Sequence, residues 1–143
     1  MRFSEIYGND ALKARLKKMV DEDRLSHAVL FVEQEGMGAL AFAIALAQYL
    51  NCSSRGEDSC GECPSCRRIA RLADPDLHFA FPINTSAKLS EQEKKKPICS
   101  YFLRDWNALV GANPYFDSHD LYDALGIENT TAIRRISFND CCP

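Results

Sequence analysis

A chain of 143 residues with 17 basic and 20 acidic side chains, net charge −3, has the length of one domain or a large part of one and can bury a core. Its 46% hydrophobic and 26% charged content is ordinary for a soluble globular protein, and only 7 Gly and 6 Pro exclude a collagen-like or low-complexity chain. No apolar run reaches the roughly 18 residues of a membrane span, the N-terminus lacks a signal-peptide pattern, and the mild acidity argues against gripping nucleic acid through the overall field, so a cytoplasmic chain without membrane attachment is expected.

Residues 9–23 read as an amphipathic helix, with Leu12, Leu16, Met19 and Val20 on one stripe and Asn9 or Asp10 able to cap it. Asp21, Glu22 and Asp23 are unfavourable at a helix C-terminus, so the helix is expected to fray there. The basic residues Lys13, Arg15, Lys17 and Lys18 lie mostly off the stripe and read as a solvated face. Ala28–Val32 is a continuous apolar run of strand length, suited to the middle of a parallel sheet covered by helices. A turn with Gly36 and Gly38 follows, then residues 39–50, a helix apolar nearly all round and therefore expected to be buried. Strand, glycine turn and buried helix together open a doubly wound α/β unit.

Pro64 suits a first helical position and predicts a short helix over 64–73, with Ile69 and Leu72 packed. Leu77–Phe81 reads as a second strand that stops at Pro82. The polar, Lys-rich stretch from Ile83 to Pro97 reads as a mobile loop or linker. Two more helices are expected. Residues 98–110 align Ile98, Phe102, Trp106 and Leu109, and residues 118–125 start at Asp117 or Ser118 and end before Gly126.

Seven cysteines are the unusual feature of the composition. Four fall in the pattern Cys52-x7-Cys60-x2-Cys63-x2-Cys66. An odd total without an export signal fits a disulfide framework poorly, so the clustering points to metal. Two overlapping C-x2-C steps gather three sulfurs, and the Ser53–Ser59 loop lets Cys52 close a tetrahedron. Zn²⁺ favours such four-thiolate cages, and a closed set leaves no position for water, so a structural site is expected. A thioredoxin-type pair would use one C-x-x-C. An iron–sulfur cluster is conceivable, but the ferredoxin closing run C-x3-C-P is absent. Arg55, Arg67 and Arg68 are candidates to offset the charge of −2 on such a zinc centre. Cys99, Cys141 and Cys142 read as bystanders.

The turn before the buried helix occupies the place of a phosphate-binding loop, G-x-x-x-x-G-K-[S/T]. Laid on residues 33–40, the second glycine is present as Gly38, with Gly36 nearby. The first glycine is replaced by Glu33, the lysine by Ala39 and the hydroxyl residue by Leu40. Glu33 and Glu35 add negative charge where polyphosphate would sit. Backbone N–H groups at Gly36, Gly38 and the helix N-terminus remain able to hold a small anion such as sulfate. An ordinary βα turn would show the same glycines.

The ordered series Phe3-Ser4-Glu5-Ile6-Tyr7-Gly8, Arg24-Leu25-Ser26-His27-Ala28-Val29-Leu30-Phe31, the phosphate-loop position, Gln48-Tyr49-Leu50-Asn51-Cys52, Cys60-Gly61-Glu62-Cys63-Pro64-Ser65-Cys66-Arg67 and Asp74-Pro75-Asp76-Leu77-His78 resembles the bacterial DNA polymerase III clamp-loader subunits over residues 3 to 82. That family carries an AAA+ ATPase-type domain with a four-cysteine zinc module inserted after the phosphate-loop helix. Its gamma/tau members keep a working phosphate loop, whereas delta-prime members often carry a degenerate one, and Ala39 and Leu40 make this chain look like the delta-prime type. The resemblance implies an α/β fold, the N-terminal part of an AAA+ domain with a parallel sheet flanked by helices. Residues 1–82 are the expected AAA+ part with the zinc module at 51–68, residues 83–129 a helical insertion, and residues 130–143 a tail, with the chain ending before the rest of the domain. It further implies a non-catalytic subunit with structural Zn²⁺ and no bound ATP. Its partners would be the gamma/tau and delta subunits, with the sliding clamp and primed DNA reached through the complex and no membrane. No arginine finger is carried over, and Arg134 and Arg135 are not assigned that role. The alternatives are an active gamma/tau-type ATPase, which would need Lys at position 39, and a zinc-binding interaction or nucleic-acid module, which would favour a basic, aromatic-studded surface.

Overall fold

The computed structural model describes residues 1–127 and divides into two compact units, the first running from Met1 to Leu77 and the second from His78 onward. The tail expected at 130–143 lies outside the described residues, as do Cys141 and Cys142.

The first unit is organised around one helix. A 3-10 turn, Phe3–Glu5, precedes helix α1 (Asp10–Asp21), α2 (Ala39–Leu50) and α3 (Pro64–Ala70). The turn, α1 and α3 all pack on α2. Ala41 and Ala45, both fully buried, keep α2 thin enough for close approach, while Phe42, Ile44, Leu46 and Tyr49 fill the space between elements. Phe3 seals one side, its ring edge-on to Tyr49 at 5.9 Å. Leu16 and Val20 are the buried positions of α1; Leu12 is exposed, so the contact stripe is narrower than the sequence period suggests. α1 ends at Asp21, as expected from the acidic run. Asn9 occupies its N-cap position in a left-handed conformation (φ 55°), without a side-chain capping bond.

The expected parallel sheet is absent among the described residues. Residues 28–32 and 77–81 have irregular backbone, and the lone β assignment is a single bridge residue, Ile83. The reason is pairwise: apolar composition gives a segment β propensity, but a strand exists only when its N–H and C=O groups meet a neighbouring ladder. Without one, Leu30 and Val32 stand 85% and 86% exposed.

The second unit holds helix α4 (Leu103–Ala112), preceded by a 3-10 turn at Cys99–Phe102, and α5 (Ser118–Leu125). Phe102 and Trp106 are buried as the periodicity required, but Cys99 and Val110 are the buried flanks, and Ile98 and Leu109 are only half-buried. Trp106 stacks on Phe81 at 4.3 Å and meets Phe116 edge-on at 5.6 Å. Asp117 caps α5, accepting from the Asp120 N–H at 2.9 Å while the Asp120 carboxylate accepts in return from the Asp117 N–H. Gly126 ends α5 at φ 65°, and a Cβ there would lie 3.1 Å from Ser86 Oγ, whose hydroxyl donates to the Leu125 carbonyl at 2.8 Å. The Lys-rich stretch expected to be a mobile loop or linker contains a 3-10 turn, Glu93–Lys95, with the Glu93 carboxylate accepting from the Ser90 N–H and hydroxyl.

Candidate functional site

The two ends of α2 carry the residues that the sequence singled out. At its C-terminal end the chain turns through Asn51 into Cys52 and the cysteine loop. The Sγ atoms of Cys52, Cys60, Cys63 and Cys66 all lie within 4.8 Å of one another, with Cys52–Cys60 at 3.5 Å and Cys60–Cys66 at 3.9 Å. A tetrahedron with metal–sulfur arms of about 2.3 Å has edges of about 3.8 Å, so the donor set has the size and the soft thiolate chemistry of a four-coordinate site. These separations also exceed bonded S–S contact, and the cysteines are unlinked.

Local backbone explains the convergence. Cys63 is the N-cap of α3, and Pro64 supplies the fixed φ of the first helical residue. The Cys66 N–H then points back at Cys63 Sγ, 3.5 Å away, while the Cys63 N–H points at Cys60 Sγ, 3.4 Å away. The Cys60 N–H likewise faces Cys52 Sγ at 3.3 Å. Backbone donors thus converge on sulfur before any metal is considered, which favours thiolate. Hydrogen bonds from the Cys66 N–H and from the N–H and hydroxyl of Ser53 push the Cys63 thiol down to about 5. Burial pushes Cys66 in the opposite direction, up to about 12. A metal would compete with the Cys66 proton, so occupancy falls as pH falls.

Around the sulfurs stands a polar support that the sequence reading missed. Gln48, 1% exposed, accepts from the Met1 α-ammonium at 2.9 Å and donates through Nε2 to Ser59 Oγ at 3.0 Å. Ser59 is itself buried and precedes the ligand-type residue Cys60. Asp58 accepts from the backbone N–H groups of Phe3, Ser4 and Ser59 at 3.3, 2.8 and 2.7 Å. Burial alone would raise its carboxyl, but those N–H bonds outweigh it and hold the group below the ordinary carboxylate value. The Tyr49 hydroxyl donates to Asp21 at 3.0 Å, and burial followed by that carboxylate pushes Tyr49 up to about 12. The signal in the sequence was a lone Gln within an otherwise apolar helix, since a buried amide must find partners. Of the three candidates to offset the sulfur charge, Arg55 and Arg68 ion-pair with Asp21 and Asp74, at 3.5 and 2.9 Å.

At its N-terminal end α2 starts at Ala39, with Gly36 and Gly38 at φ 79° and 98°. Neither Ala39 nor Leu40 has a polar side chain, and α2 has no acidic residue in its first turn. Glu33 Oε2 accepts from the Ala39 N–H at 2.5 Å. The backbone group expected to be left open to a small anion therefore already has a carboxylate on it. Beside it lies a cavity of about 250 Å³ walled by Leu12, Phe31, Val32, Met37 and Phe42.

Residues 8–107 match the family model described as DNA polymerase III, delta subunit. The chain belongs to that clamp-loader family. It is 37% identical over 84 residues to the DNA polymerase III subunit delta-prime of Bacillus subtilis, covering 56% of this chain and 26% of that protein. To the delta-prime subunit of Haemophilus influenzae it is 36% identical over 117 residues, 82% of this chain and 33% of the relative. A gamma/tau subunit of Mycoplasma pneumoniae is 31% identical over 87 residues, 61% of this chain and 12% of the relative. The clamp-loader chain described here thus spans a third or less of the length of these relatives. No solved structure matches it. Among the described residues no helix is long and apolar enough to cross a membrane.

Proposed function

We propose that this chain serves as a non-catalytic, delta-prime-type scaffold of the DNA polymerase III clamp loader, in the cytoplasm, with one structural Zn²⁺ held by Cys52, Cys60, Cys63 and Cys66. The observation that carries the reading is the pairing of a four-sulfur cluster of tetrahedral size with a phosphate-loop position that has Ala39 and Leu40 in place of Lys and Ser/Thr. ATP binding in phosphate loops draws on an ammonium for the β/γ-phosphates and a hydroxyl for Mg²⁺. Here the side chains supply neither. The two delta-prime relatives, matched at 37% and 36% identity, support the same side of the family.

In this reading the zinc fixes the turn between α2 and α3 and so the outer surface of the first unit, which contacts the gamma/tau and delta subunits. The sliding clamp and primed DNA are reached through the assembled complex. The apolar run 28–32 enters a parallel sheet of an AAA+ domain, and residues 83–129 form an insertion whose first part, to residue 107, lies within the family match. The match to gamma/tau relatives favours a second reading, an active ATPase of that type. It is disfavoured by Ala39, because no other cation lines the cavity beside it among the described residues.

The test is co-purification of the chain with gamma/tau and delta, with and without a zinc chelator. Capture that the chelator abolishes supports the scaffold reading. Absence of capture by the zinc-loaded chain overturns it.

A further inference from the structure

We propose that Cys60 is a hydroperoxide-sensitive thiol with Cys52 as its resolving partner, so that oxidation reversibly dismantles the four-sulfur cage. This gives the cysteine module a regulatory use and rests on the zinc reading above.

Exposure and distance single out the pair. Cys52 and Cys66 are 5% and 0% exposed, whereas Cys60 and Cys63 are half-buried and within reach of a small oxidant. Cys60 Sγ also has two buried sulfurs close by, Cys52 at 3.5 Å and Cys66 at 3.9 Å. A disulfide bond is about 2.05 Å long, so the Cys52–Cys60 gap needs a closure of about 1.5 Å. Cys99, in the second unit, does not compete. It is fully buried, with its thiol donating to the Phe81 carbonyl at 3.6 Å.

The chemistry balances with hydrogen peroxide as the oxidant. The Cys60 sulfur attacks one peroxide oxygen; an S–O bond forms, the O–O bond breaks, and the second oxygen leaves as water after taking up a proton. Cys60 is then a sulfenic acid. The Cys52 sulfur attacks Cys60 Sγ, the S–O bond breaks, and a second water leaves. Two thiols and one peroxide become one disulfide and two waters. Two sulfurs remain of a donor set of four, too few for a closed thiolate site.

The loop between the pair carries the change outward. Its last residues are Asp58, which accepts from the Phe3 and Ser4 N–H groups, and Ser59, which accepts from Gln48 Nε2. Drawing Cys60 onto Cys52 moves both residues away from the positions that make those bonds. Loss of the metal frees Cys63 and Cys66, the first of which is the N-cap of α3. One oxidised sulfur is thereby read at the first 3-10 turn and at α3.

Mass spectrometry and hydrogen exchange on the unmodified, zinc-loaded chain test this without removing a ligand. Equimolar hydrogen peroxide should release close to one zinc per disulfide formed, read with a chromogenic chelator. Peptide mapping after thiol alkylation should find Cys52 joined to Cys60, with Cys99 still alkylated. Exchange protection of the Phe3 and Ser4 amides should be lost, and dithiothreitol with zinc should restore it. The same disulfide should form in the reduced, metal-stripped chain. A first disulfide between Cys63 and Cys66 would overturn the proposal, as would four thiols that stay alkylatable, or zinc release with Phe3 and Ser4 protection unchanged. A chain that binds no zinc yet forms the Cys52–Cys60 disulfide counts against the zinc reading alone. A zinc-bound chain that resists peroxide counts against the redox site alone.

Discussion

The two ends of α2 make opposite use of the same helix. At the C-terminal end, side chains do the chemistry: four thiols converge, and Gln48, Ser59, Asp58 and the Met1 ammonium tie the surrounding backbone in place. At the N-terminal end the backbone geometry of an anion site persists in Gly36, Gly38 and the helix start, but the side chains that would select a nucleotide are missing and a carboxylate occupies the N–H. A metal site and a phosphate site thus fail differently. A four-coordinate metal site needs each of its ligands, whereas a glycine turn also serves simply to end a segment and start a helix.

Breaking the C-terminal end should have the largest effect. Cys63→Ser removes one ligand, and its place as N-cap of α3 means the loss reaches the helix as well. Structural zinc in small modules contributes on the order of 10 kcal/mol of folding free energy, so the variant should lose both metal and the order of residues 51–70. Elemental analysis of the unmodified chain should find close to one zinc per chain, and the variant close to none. Iron instead of zinc, or a Cys63→Ser chain that unfolds at the unmodified temperature, would break the comparison from the metal side.

The buried support comes next. Gln48→Ala leaves the Ser59 hydroxyl and the Met1 ammonium without their shared partner, and a cavity beside α2. Leaving such groups unsatisfied costs about 1–3 kcal/mol, to be read as a lowered midpoint of thermal unfolding. A loss within a few tenths would mean that the polar chain is decorative.

A smaller and pH-dependent loss is expected for Asp58→Asn. The carboxyl is held below its ordinary value in the folded chain, so its contribution is fully present above that ordinary value and disappears as pH falls through the lower folded one. The two chains should therefore differ by about 1 kcal/mol at neutral pH and converge in acid. Denaturant titrations at a series of pH values check the sign. A difference that grows on acidification contradicts the assigned hydrogen bonds.

The least costly change is at the N-terminal end of α2. Ala39→Lys with Leu40→Thr should leave Mg-ATP binding undetected while Glu33 and Glu35 remain, because both add negative charge to the turn and Glu33 already accepts from the Ala39 N–H. Calorimetry on the double variant sharpens the contrast: restored binding would locate the defect in the two side chains alone.

Helices were legible in the sequence because their evidence is internal. The apolar run at 39–50, Pro64 after Cys63, and Asp117 or Ser118 ahead of a run that stops at Gly126 each specify an element without outside help. The strands were not, since a ladder needs a partner and apolar content at 28–32 says nothing of where that partner lies. For the site, thiol identity and spacing located all four sulfurs. The support did not follow from spacing, because Met1, Gln48 and Ser59 are brought together only by the packing of the first 3-10 turn on α2. Glu33 was legible as a repulsive charge, yet its role as a cap depended on the backbone fold of the Gly36–Gly38 turn.

Calorimetric titration of the zinc-loaded chain with Mg-ATP tests the central claim, that one end of α2 is built around metal while the other is closed to nucleotide. The account predicts no saturable heat up to millimolar nucleotide. Saturable binding in the micromolar range, about −8 kcal/mol, would contradict it and make the gamma/tau-type ATPase the better description.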